Sequence, residues 1–310
     1  MIAAVPERSS GGILDGRLRY VPFAALNDGR HWLAERWPIV YHTAASERRT
    51  ELTSSEWRIA GLGVSEARKG FDPLPAVVAE IDGIVREGAR DHAGVLPGHA
   101  LLNGAFSQSA FRQPAADADN RILHIASHFG LRPGNDAQSS LLLGTVKANG
   151  DPDTLSLRAL RESDPPLDLR HLDLVTLSAC DTAMGGADDT GAEIEGMGAI
   201  IQGQGARGVL ASLWPVADTS TGRLMQTFYR LRAEHPEQTK AQDLQLAQLA
   251  LLHGTLDGAG PAGGCVPSRR PVNLGINGKP DTPPPPAGDP ACRWSHPYYW
   301  APFILMGNWL

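Results

Sequence analysis

Short, mostly apolar runs recur along this chain, each too brief for a buried helix and separated by helix-patterned stretches. Such alternation builds a mostly parallel sheet covered by helices, so the expected fold class is α/β. The runs predict strands over residues 18–23, 39–42, 58–62, 100–103, 121–126, 172–178, 208–213 and 302–306. Helical spacing predicts helices over 76–90, 155–162, 192–203, 220–234 and 240–252. In the fourth helix Leu224, Phe228 and Leu231 make one apolar stripe, with Asp218 or Thr219 placed to cap it.

Composition narrows the classes. With 310 residues and 42% hydrophobic content the chain has ample core. Its net charge of −6 argues against a broad nucleic-acid surface. No stretch approaches the ~18 uninterrupted apolar residues of a membrane span, and the first ten residues lack the pattern of a secretory signal. A cytoplasmic protein without nucleic-acid or membrane partners is expected. The 34 glycines and 24 prolines are unevenly spread: residues 255–297 hold 7 and 10 of them, the mark of an extended surface insertion. Cys265 and Cys292 flank the Pro283–Pro286 run inside it; cross-linking is open to them, but with no oxidising compartment implied, free thiols are expected. A polar break at 113–120 suggests a boundary between an N-terminal lobe, 1–112, and a second lobe, 113–310.

Two apolar runs end in reactive side chains. Residues 121–126 lead into Ser127, His128, Phe129 and Gly130, and residues 172–178 lead into Ala179, Cys180 and Asp181. Ligands bind at the carboxyl ends of strands in open parallel sheets, so neighbouring strands would bring His128 and Cys180 to one rim. A thiol needs a base to become the nucleophilic thiolate, and histidine supplies one at neutral pH. The N–H groups of Cys180 and of Phe129 or Gly130 are candidates for an oxyanion hole. The plainer alternative is a small buried Cys180 and a hydrogen-bonded strand-end His128. His124, four residues earlier, reads as a satisfied core residue. The letters G-x-G-x-x-G at 203–208 precede a strand instead of following one, so they read as a helix end rather than a dinucleotide loop. Asp188, Asp189, Glu193 and Glu195 read as helix-capping acids rather than cation ligands. No metal and no cofactor are expected, and no Walker A loop, H-E-x-x-H, paired C-x-x-C or G-x-S-x-G occurs.

Blocks along most of the chain resemble the CHAT domain, a caspase-like peptidase domain often found behind tetratricopeptide repeats. They are L-R-Y-V-P-F-A-A-L from Leu18, L-P at Leu74 before a helix with Glu80, and L-H-I-A-S-H to His128. L-V-T-L-S-A-C-D-T around Cys180, G-A-R-G-V-L-A-S-L-W-P-V-A-D to Asp218 and H-P-Y-Y-W-A-P-F from His296 follow. The resemblance implies a caspase–hemoglobinase fold, three layers α/β/α around a mostly parallel sheet. It implies a cysteine endopeptidase with a Cys180/His128 dyad, acting on protein or peptide substrates. The 52 residues from His128 to Cys180 agree with the ~50 of caspases. In the separase-like branch an Asp after the L-W strand helps hold a basic substrate residue, and Asp218 is the matching position, with helix capping as its alternative role. Many relatives have Gly directly after the histidine; here Phe129 intervenes, which predicts an oxyanion donor at the Phe129 N–H and a ring crowding the cleft. The match starts almost at Met1, so a truncated or split gene product lacking an upstream repeat region is expected. The alternatives are a catalytically inactive caspase-like interaction module and a thiol hydrolase of small molecules.

Overall fold

The computed structural model describes residues 2–4, 21–42, 56–130, 135–178, 198, 200–214, 216, 218–256, 258, 261, 265 and 290–310. Twelve strands are present among them: β1 (Ile2–Ala4), β2 (Ile39–Tyr41), β3 (Ile59–Gly63), β4 (Val85–Arg86), β5 (Leu96–Leu102), β6 (Ile122–Ala126), β7 (Phe129–Gly130), β8 (Ser140–Val146), β9 (Pro152–Ser156), β10 (Leu174–Ser178), β11 (Gly208–Ser212) and β12 (Phe303–Gly307). Nine form one sheet in the order β1-β2-β12-β11-β10-β6-β3-β5-β4, and β7, β8 and β9 form a separate antiparallel meander. The large sheet is mostly parallel; only β1 against β2 and β11 against β12 run antiparallel. Strands from both sides of Gln113 share it.

The central strands β3, β6, β10, β11 and β12 are buried at every residue, which is why they appear in sequence as mostly apolar runs. Seven α-helices with both ends among the described residues accompany them: α1 (Leu33–Arg36), α2 (Ala76–Ile84), α3 (Gln108–Ala116), α4 (Leu157–Arg161), α5 (Asp218–Glu234), α6 (Lys240–His253) and α7 (Pro297–Trp300). The whole is a three-layer α/β/α fold, with α2 packed on α5 and α5 on α6. Thr239 caps α6 with its hydroxyl on the Gln242 N–H, and Gly254 ends it at φ 68°, a left-handed turn that suits glycine.

Pairing of β6 with β10 is in continuous register from Leu174 opposite Ile122 to Ser178 opposite Ala126, a constant offset of 52 residues. A buried polar group ties these two strands to the helices above them. His124 of β6 sits opposite Thr176 of β10, and neither is exposed to solvent. His124 Nε2 lies 2.9 Å from Glu80 Oε1 of α2, and its Nδ1 lies 3.2 Å from the Tyr229 hydroxyl of α5. That hydroxyl is 2.7 Å from Thr176 Oγ1. With Nε2–H donating to the carboxylate, a neutral ring accepts at Nδ1 from Tyr229, whose oxygen accepts from Thr176. Burial holds the tyrosine proton on well above the usual range. His124 is thus the satisfied core residue expected of it.

Several expectations are corrected. Phe23, the last residue of the strand expected over 18–23, instead opens a 3-10 turn, Phe23–Ala25, after Pro22. The helix from Ala76 stops at Ile84, where the chain turns into β4. The helix expected over 155–162 begins as β9, because its first residues pair with β8. The polar stretch from Gln113 starts inside α3, which runs to Ala116. Helix α5 begins at Asp218, two residues early. Residues 200–203 are helical and Gly205, at φ 118°, turns the chain towards β11, as a helix end would. The first predicted strand below residue 21, most of the helix over 192–203 and the acids at 188–195 lie outside the described residues.

Cys265 and Cys292, expected as free thiols, form a disulfide with Cα atoms 5.4 Å apart. Both ends of the insertion pack on the end of α6: a Cβ built at Gly254 would lie 2.5 Å from Ala291 O and 2.7 Å from Cys265 Sγ. The sequence kept both options open and lacked the proximity that decides between them.

Two outcomes are expected. Replacing Glu80 with Ala leaves a buried imidazole without its anion and costs about 3 kcal/mol of unfolding free energy; an unchanged denaturation midpoint would contradict the pairing. A non-reducing digest of oxidised protein yields Cys265 and Cys292 in one linked species. Reduction lowers the unfolding midpoint, with about 3–4 kcal/mol at stake from loop closure. Recovery of three alkylatable thiols without reductant would exclude the bridge.

Candidate active site

The chain leaves β3 towards β5 on one side, and leaves β6 towards β10 on the other. The crevice between the carboxyl ends of β3 and β6 is therefore the point where strand order reverses, the general location of binding sites in such sheets. His128 lies there, two residues past β6 and only 6% exposed. Its Nε2 is 2.7 Å from the main-chain oxygen of Asp72, and its ring lies 5.3 Å from that of Phe71. A carbonyl oxygen only accepts, so Nε2 carries a proton in this contact.

The loop after β3 is built to present that carbonyl. Asn103, with φ at 47° in the left-handed region tolerated by Asn, ends β5 and accepts through Oδ1 from the N–H groups of Ser65 and Glu66, at 2.8 and 3.1 Å. Arg68 and Phe71 exchange main-chain hydrogen bonds, and Arg68 Nη2 donates to Gly144 O at 2.7 Å. Leu74 N–H returns to Ser65 O, closing the loop on itself. At Gly144 a Cβ would come within 1.6 Å of Asn103 O, so β8 can press against this turn only through glycine.

On the other flank, Ser127 Oγ donates to Leu142 O at 2.8 Å, and Leu142 N–H donates to His128 O at 2.9 Å. That second bond makes Phe129 and Leu141 a non-hydrogen-bonded pair, so the Phe129 N–H points away from β8 while the Gly130 N–H faces Ser140. The Phe129 ring is 2% exposed and belongs to the core, which corrects the expectation that it crowds the cleft. Packing decides this: the antiparallel pairing with β8 carries the ring inwards. Ser178, the last described residue of β10, accepts at its carbonyl from the Ser127 N–H, 3.3 Å away. Cys180 lies outside the described residues, as does the Asp218 side chain, although Asp218 heads α5.

The sequence singles out His128 but not the residues that hold it. Asn103–Gly104 after an apolar run is a turn signal that could have marked the supporting loop. Asp72 had no signal at all, because it acts through its main chain. Among the described residues no cluster of His, Cys, Asp and Glu is suited to hold a metal, and no helix is long and apolar enough to cross a membrane.

At the opposite ends of the same strands lies a buried charge cluster. Asp173, just before β10, sits 3.5 Å from Arg207 and 3.8 Å from Arg121. Arg232 of α5 is 3.7 Å from Asp243 of α6, and Lys240 donates to the main-chain oxygen of Leu310. Burial pushes the Asp243 carboxyl up to about 7 and the Lys240 ammonium down to about 7.

The family model of the CHAT domain matches residues 13–308. No curated protein matches the sequence. With nearly the whole chain inside one family model and the expected three-layer sheet beneath it, this protein belongs to the CHAT domain family, a caspase-like, peptidase-related family.

Proposed function

We propose that the chain is a cysteine endopeptidase, with Cys180 as nucleophile and His128 as general base and acid. The observation that carries this reading is the β6–β10 register. Its offset of 52 residues equals the spacing of His128 and Cys180, which supports bringing both residues to one rim of the sheet. The hydrogen bond to Asp72 O adds to it by orienting the imidazole, and Nδ1 is the nitrogen assigned to take the thiol proton. The thiolate attacks the scissile carbonyl, and the Phe129 N–H, turned away from β8, is the better placed of the two post-histidine donors for the oxyanion. The Cys180 N–H is the second donor. The imidazolium then protonates the leaving amine, and water, deprotonated by the same ring, hydrolyses the thioester. Protein or peptide is the substrate class, and an upstream repeat region the natural recruiting partner. Asp218, heading α5 just after the L-W block, is the candidate carboxylate for a basic substrate residue.

An electrophilic peptide probe tests the dyad. Wild-type protein labels covalently, Cys180→Ala does not, and His128→Ala labels at least about a hundredfold more slowly. Equal labelling of Cys180→Ala removes the cysteine from its role. A wild type that neither labels nor cleaves any member of a peptide library is the interaction module instead. In the same library a basic preference that weakens in Asp218→Ala supports the pocket, and an unchanged one ends it.

A further inference from the structure

The loop from β3 towards α2 is polar along residues 65–72, S-E-A-R-K-G-F-D, and Phe71 is its one large apolar side chain. Phe71 is half-buried, although both its neighbours, Gly70 and Asp72, are exposed. What its ring covers is the imidazole of His128, with the two ring planes tilted by 46°.

The backbone aims the ring there. Arg68 and Phe71 form an antiparallel bridge, closed by main-chain hydrogen bonds of 3.1 and 2.8 Å. Gly70, at φ 82°, supplies the left-handed residue that so tight a reversal needs. Side chains directly opposite in an antiparallel pair lie on one face, so the Arg68 guanidinium and the Phe71 ring leave the bridge together. The guanidinium reaches Gly144 O of β8 and the ring reaches His128, whose own carbonyl is tied to β8 through Leu142 N–H. The next residue, Asp72, then offers its main-chain oxygen to Nε2. Two consecutive residues thus meet one imidazole, one by a hydrogen bond and one by its ring, and leave it 6% exposed.

We infer that Phe71 is a positioning residue for His128, its ring bracing the imidazole and keeping water from the bond between Nε2–H and Asp72 O. A hydrogen bond is stronger where water is excluded, and a ring packed against another loses freedom to turn about its last torsion. A base held at one angle meets the thiol proton more often than one that swings. The consequence for catalysis rests on the proposed Cys180/His128 reading; the effect on the imidazole itself does not.

Two measurements on the full chain keep these apart. In isotope-labelled protein read by NMR, the Nε2–H signal of His128 is the one absent from His128→Ala. Phe71→Ala speeds its exchange with water at least about tenfold, while the Leu74 N–H, bonded to Ser65 O in the same loop, keeps its rate. With the electrophilic peptide probe, Phe71→Ala lowers the limiting labelling rate about tenfold and leaves the half-saturating probe concentration within about twofold, the split expected when orientation rather than binding is lost. Phe71→Tyr, which keeps the ring, recovers most of both. The inference is overturned if Nε2–H exchange is unchanged in Phe71→Ala, if the Leu74 N–H accelerates by the same factor, or if Phe71→Tyr falls as far as Phe71→Ala. It is overturned too if labelling that depends on Cys180 is as fast in Phe71→Ala as in wild type. Labelling that survives Cys180→Ala ends the peptidase reading instead, and the exchange result still decides the role of Phe71.

Discussion

Everything near the candidate site depends on how β6 and β10 are paired. A parallel ladder allows many registers in principle, and a slip of one residue would turn every side chain to the opposite face. Here the slip is penalised by the buried polar group. His124 and Thr176 meet Glu80 and Tyr229 only when they stand side by side, and any other alignment strands an imidazole, a carboxylate and a hydroxyl in the core. Each stranded group costs several times what a satisfied one contributes. The group therefore selects a register more than it adds stability, since desolvating the pair offsets much of its attraction.

That selection reaches the strand ends. With the register set, His128 stands after β6 at the crevice where strand order reverses, and Ser178 closes β10 beside it through the Ser127 N–H. A second layer of support comes from chain segments far away in sequence: the Asn103 turn holds the loop after β3, the meander β7–β8–β9 holds the other flank, and Gly144 lets the two touch. The imidazole of His128 is oriented by a main-chain oxygen, an acceptor that does not titrate.

How much of this was legible varies with the physics involved. β3, β6, β10, β11 and β12 were readable because burial on both faces excludes polar residues from nearly the whole run, with His124, Thr176, Ser178 and Ser212 as exceptions. The segment around Leu155 was misassigned because its helix-like spacing competes with pairing to β8, a contact that local pattern does not contain. Phe129 was expected in the cleft because only its place after the histidine was visible, whereas the antiparallel pair with Leu141 turns it into the core.

By itself the sequence determined which segments are buried strands and which reactive residues stand at their ends, because a short apolar run next to polar residues has few ways to avoid water. It also carried the family, through blocks of residues in a set order. Only the tertiary structure decided the partner of His128, the inward turn of Phe129 and the union of Cys265 with Cys292. Each of these is a contact between residues distant along the chain, and two rest on main-chain atoms that every residue possesses. No residue type announces such a contact; distance in space, set by the packing of whole strands and helices, is what creates it.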